Sequence, residues 1–91
     1  MNINAYSVKD AKSGTFGNPY YAQNDALAAR SFEQAANDPN TTINSYPEDF
    51  SLYRVGSFND ESGEFKPEPQ PEFITNATIK PKISEAVEES I

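Results

Sequence analysis

The chain has 91 residues with seven Lys/Arg against fourteen Asp/Glu, and it contains neither Cys nor His. A single small domain fits this length, and with no thiol or imidazole, disulfides, thiolate or imidazole catalysis and nearly all zinc, copper and haem ligation are excluded. The net charge of −7 repels phosphate at long range, which excludes a nucleic-acid interaction driven by whole-molecule charge.

A core this thin calls for reinforcement, and with metals and disulfides gone a homodimer is the expected source. The charge is uneven. Residues 1–44 carry three Lys/Arg against four Asp/Glu, whereas residues 45–91 carry four against ten. The near-neutral N-terminal half therefore stays open to local contact with DNA. The start, Met1-Asn2-Ile3-Asn4-Ala5-Tyr6, has neither the basic residues nor the apolar run of a secretory signal, and no stretch is apolar for long enough to span a bilayer. The expectation is a protein that stays where it is made, with no membrane partner.

Residues 3–8 alternate, with Ile3 and Ala5 on one face and Tyr6 and Val8 on the other, in β-branched and aromatic residues that suit a strand. Two glycines and a proline between Gly14 and Pro19 then predict a loop that holds Phe16, Tyr20 and Tyr21 against the body. Asn24 is a good N-cap and Asp25 favours the first turn of a helix. At 100° per residue, Leu27, Ala35, Ala28, Phe32, Ala36 and Ala29 form one arc, which predicts an amphipathic helix over 24–37 with Leu27 and Phe32 as its anchors. Asp38-Pro39 ends it.

Residues 39–50 are a connection rich in Asn, Thr, Ser and Pro. A second strand follows over 51–58. The turn Asp60-Glu61-Ser62-Gly63, with its glycine suited to the left-handed position, returns the chain as a third strand over 64–66. Alternate prolines from Pro67 to Pro71 remove backbone donors and stiffen the chain into a polyproline-like segment. The expected organisation is a globular domain over 1–66, an extended segment over 67–79 in which Phe73 and Ile74 can lie on the body, and an acidic tail over 80–91. In that tail Ile83, Ala86, Val87 and Ile91 share a helical face too short to be stable alone. Fraying and docking on a partner are its two alternatives.

Without His or Cys, catalysis would need paired carboxylates, a Ser-Lys pair or an acidic metal site. The densest acidic stretch, 59–64, lacks the alternate oxygen ligands and distant bidentate Glu of a calcium loop, so it reads as a solvated turn. No glycine-rich phosphate loop is present, and neither a catalytic residue nor a cofactor is expected. The remaining chemistry is aromatic and basic. Tyr6, Lys9, Lys12, Phe16, Tyr20, Tyr21 and Arg30 lie in the N-terminal half, with Tyr53, Arg54 and Phe58 on the second strand. Exposed rings that stack bases beside cations that track phosphates would grip single-stranded nucleic acid. The competing use of the same rings is to build the core.

The blocks Tyr6-Ser7-Val8-Lys9-Asp10, Phe16 with Asn18-Pro19-Tyr20-Tyr21, Asn24 to Phe32, Pro47-Glu48-Asp49 and Leu52 to Asn59 together resemble the small non-structural protein of gokushoviruses, Microviridae with single-stranded circular DNA that infect bacteria. The similarity covers residues 3–66 and rests on the order and spacing of the blocks. Gly56-Ser57-Phe58-Asn59 departs mildly from the family's Gly-x-Phe-Asp, and the stretch after Phe65 has no counterpart. The resemblance implies a viral protein of the bacterial host cytoplasm, without catalytic residues, that assists replication or packaging of a single-stranded genome.

The expected fold is α+β: a small antiparallel sheet of strands near 3–8, 51–58 and 64–66, with the helix over 24–37 on one face. The expected function is a non-catalytic accessory that contacts single-stranded DNA, or viral or host replication and packaging proteins, through Tyr6, Lys9, Lys12, Tyr20, Tyr21, Arg30, Tyr53 and Arg54. The alternative is an acidic module that binds a viral or host protein without touching DNA.

Overall fold

A computed structural model describes residues 1–80; the expected tail, Lys80 apart, lies outside the described residues. The fold is α+β. Strand β1 (Asn2–Asp10) and strand β4 (Phe50–Asn59) pair antiparallel along their whole lengths and form the centre of the sheet. β5 (Phe65–Asn76) pairs antiparallel with β4 on one side. On the other side of β1, two short strands share its edge, β2 (Thr15–Phe16) beside Lys9 and Asp10 and β3 (Tyr20–Ala22) beside Asn4, Ala5 and Tyr6. The loop expected from Ser13 to Pro19 thus contains one short strand, β2, and leads directly into another, β3.

The helix forms where its capping residues place it. In α1 (Asp25–Ala36), the Asn24 side chain accepts the Leu27 N–H at 2.9 Å, and Asn37 closes the other end by donating its backbone N–H to Glu33 O. Ala28, Phe32 and Ala36, four residues apart, form the buried stripe and pack on Tyr6, Leu52 and Ala77. Leu27 is a correction to the expected anchors. It is 37% exposed, because five residues at 100° turn it about 140° away from Phe32. The connection after α1 contains a short helix, α2 (Thr42–Ser45), and one 3-10 turn over Pro47–Asp49. Thr41 Oγ1 donates to Ala35 O at 2.7 Å and Asn44 Nδ2 to Ala36 O at 2.9 Å, which satisfies carbonyls left open at the end of α1.

The β4–β5 hairpin turns as expected, with Gly63 at φ +78° and its N–H donating to Asn59 O at 2.8 Å. The strand after it is far longer than 64–66. Phe58, Ser57 and Gly56 pair with Phe65, Lys66 and Pro67; then Val55 alone faces the four residues 68–71, and pairing resumes at Arg54 with Glu72. The prolines explain the interruption, since they have no N–H to give a ladder and are tolerated only at an edge or in a bulge. Pairing resumes because Phe73 meets the Tyr53 ring and Ile74 packs against the core. No helix among the described residues is long and apolar enough to cross a membrane.

Candidate functional site

Side chains alternate across a pleated sheet, and the register of β1 with β4 sorts the aromatic and basic residues onto two faces. Tyr6 pairs with Arg54 and Val8 with Leu52 on the face beneath α1. Ser7 pairs with Tyr53, Ala5 with Gly56 and Ile3 with Phe58 on the opposite, outer face. Val55 is the extra residue that keeps both sets in phase, because the register shifts there by one.

On the inner face, polar groups are used up by structure. Tyr6 is fully buried and donates its hydroxyl to Asp25 Oδ1 at 2.5 Å. Arg54 Nη1 donates to both oxygens of Asp25 at 3.0 and 2.8 Å, its Nε to Glu68 at 3.0 Å, and its Nη2 to Glu72. One guanidinium therefore ties the N-terminus of α1 to the bulged stretch of β5. Burial, followed by the Asp25 carboxylate, pushes the Tyr6 phenol up to about 12. The hydrogen bond from Tyr6, aided by Arg54, holds the Asp25 carboxyl below its ordinary value. Its carboxylate partners, Glu68 first, raise the Arg54 guanidinium. Tyr20, half-buried on the same side, donates its hydroxyl to Ala28 O at 2.9 Å, and desolvation raises its phenol. Arg30 is exposed on α1, away from the outer face.

The outer face carries rings. Phe16 and Tyr53 meet edge to face at 5.5 Å and 76°, and Tyr53 meets Phe73 at 5.8 Å and 78°. Further along the strands, Tyr21 and Phe58 lie 6.0 Å apart. Phe65 sits against Gly56, where an added Cβ would come within 2.6 Å of its ring. Phe16, Tyr21, Phe65 and Phe73 remain exposed, Tyr21 and Phe73 each by 51%. The fold makes this arrangement locally. Ser7 Oγ donates to Gly17 O at 2.7 Å, and the Gly17 N–H to Val8 O at 2.8 Å, which holds the chain beside β2 so that Phe16 reaches Tyr53. Lys9 extends its ammonium over Phe16, 5.5 Å from the ring centroid, a contact of about 0.5–1 kcal/mol at an exposed site, weak enough to yield to an anion. Lys12 is exposed in the adjoining turn, where its N–H is held by Asp10 at 2.9 Å.

Of the eight residues expected to form one site, the structure brings together Lys9, Tyr21 and Tyr53 on the outer face, with Lys12 at its border. Tyr6, Tyr20 and Arg54 serve the inner face, and Arg30 stands apart from both. Phe65 and Phe73 join the outer face without having been expected there. A usable signal existed for the first, because a turn closed by Asn59 and Glu64 places Phe58 opposite Phe65.

Among the described residues, no group of three or more Asp/Glu side chains is placed to hold a metal. The family described as phage ORF5 protein matches residues 3–79. The chain belongs to that family. No curated protein and no solved structure matches it. The matched span reaches beyond the hairpin through the whole of β5. In this phage ORF5 family member, the bulged, proline-rich stretch and Phe73 are therefore within the region that the family shares.

Proposed function

We propose that the chain is a non-catalytic accessory protein of phage single-stranded DNA replication or genome packaging, acting in the bacterial host cytoplasm, and that its outer sheet face contacts single-stranded DNA. The single observation that supports this is six aromatic side chains on the helix-free face, four of them exposed, beside Lys9 and Lys12. Unstacked bases find flat partners there, each worth about 1–3 kcal/mol. The gokushovirus resemblance supplies the genome type, and family membership the phage setting.

A second proposal is favoured by the net charge of −7: an acidic module that binds a viral or host replication or packaging protein, or a second copy of itself, through the same rings. Binding of labelled single-stranded DNA across a salt series separates the two. Affinity at low salt that weakens when Tyr53 or Phe73 is changed to Ala supports the DNA contact. No affinity at low salt, together with sedimentation as a dimer that Phe73→Ala dissociates, gives the face to protein.

A further inference from the structure

We propose that the outer face holds its strand by the bases at two separate stations and very little by the phosphates, so that its ligand is an unpaired strand of any sequence, while duplex and base-less strands are refused. The proposal rests on the single-stranded DNA contact of the preceding subsection and specifies what that contact recognises.

The rings form two groups. Phe16, Tyr53 and Phe73 make the first, and Tyr21 and Phe58, with Phe65 against Gly56, make the second. Between them the two central strands place the small residues Ala5 and Gly56, with Pro67 paired beside Gly56 and the edge of the Phe65 ring lying over it, so the rings of the two groups are set apart by small side chains. Tyr53 and Phe58 pair with Ser7 and Ile3. Four residues of strand put the stations about 13 Å apart at roughly 3.3 Å per residue. Stacked bases rise about 3.4 Å per step, so a strand that engages both stations spans about four steps and needs about five nucleotides.

Charge limits the phosphate share. Lys9 and Lys12 lie at the first station, while the second is bordered by the exposed Asp60, Glu61 and Glu64 of the hairpin turn. The other described cations are engaged or turned elsewhere: the Met1 ammonium pairs with Asp60 and Glu61 at 2.9 Å each, Arg54 is held by three carboxylates beneath α1, Lys80 pairs with Glu33 at 2.6 Å, Lys66 pairs in register with Ser57 on the inner side, and Arg30 is on α1. Two neutralised phosphates give a slope of log affinity on log salt of only about −1.4. The face also has few groups with which to read a base edge, since Ser7 Oγ is committed to Gly17 O and Ser51 Oγ to Asn76. Stacking without such readout is tolerant of sequence.

The test uses the full chain and fluorescence anisotropy with thymidine and adenosine homo-oligomers of about two to about twelve nucleotides, the longest duplex, and an abasic strand with the same number of phosphates. The expected result is that both homo-oligomers bind within about threefold of each other, that affinity levels off at about five nucleotides, that the salt slope is no steeper than about −1.4, and that abasic and duplex ligands lose tenfold or more. Tyr53→Phe keeps a ring and retains affinity, whereas Tyr53→Ala loses about 5- to 150-fold. An abasic strand that binds as well as thymidine, or a slope near −3 or steeper, overturns base gripping while leaving a DNA contact in place. Absence of binding by every oligomer at low salt overturns the contact itself, and the two-station proposal with it.

Discussion

The two faces of the sheet are built from alternate residues of the same strands, yet they spend their aromatic and charged groups differently. Beneath α1, Tyr6 and Arg54 have all their polar atoms engaged by Asp25, Glu68 and Glu72, and Leu52 is fully buried. One residue along each strand, Ser7 and Tyr53 belong to a face whose rings are half-exposed and touch mainly one another. A tyrosine or arginine on these strands is thus structural or available according to the face that the pairing register gives it, and residue type alone does not decide.

Substitutions on the two faces should therefore separate stability from binding. The largest effect is expected from Phe32→Ala, which empties the centre of the buried stripe on α1; chemical denaturation should show a loss of about 3–5 kcal/mol, enough to unfold much of so small a domain. On the outer face, Phe73→Ala should cost about 1 kcal/mol of stability, the scale of one edge-to-face pair, while lowering single-strand affinity by about 1–3 kcal/mol in a titration. If instead Phe73→Ala unfolds the chain, the outer face is a second core and the contrast fails.

Arg54→Met probes the inner face from its polar side. It leaves Asp25, Glu68 and Glu72 without their shared partner, and since two of these carboxylates are substantially exposed the cost should be about 1–2 kcal/mol rather than that of a fully buried pair. DNA affinity should stay unchanged, in contrast to what the sequence suggests for this residue. A further effect is pH-dependent. The Tyr6 phenol is raised from 10 to about 12, so its contribution is complete below pH 10 and is lost as pH rises towards 12. Alkaline denaturation should show that loss, and Tyr6→Phe should flatten it.

The backbone plan was legible in the sequence because its local signals agree: alternation over 3–8, an Asn cap with an alanine-rich helical arc, and a glycine-closed hairpin. Two things were not. The Leu27 arc position looked equivalent to Phe32 until the position of the sheet fixed the centre of the stripe. The return of the chain after Pro71 was hidden because prolines signal the end of a strand, whereas here a bulge opposite Val55 absorbs them and pairing restarts at Glu72. The candidate site was half legible for the same reason. Lys9, Tyr21 and Tyr53 stand out by type, but which face each occupies depends on pairing register, and Phe73 enters only through β5. Tyr6 and Arg54 were drawn into the expected site because nothing local announces that Asp25, 19 residues from Tyr6 and 29 from Arg54, claims both.

The central claim, that the helix-free aromatic face is where single-stranded DNA sits, is tested most directly by mapping aromatic and amide NMR shifts of the full chain as a short thymidine oligomer is added at low salt. The account predicts saturating shifts at Phe16, Tyr21, Tyr53, Phe58 and Phe73, with Tyr6 and the buried face of α1 unmoved. Shifts concentrated at Arg30 and along α1, or none at all, would contradict it.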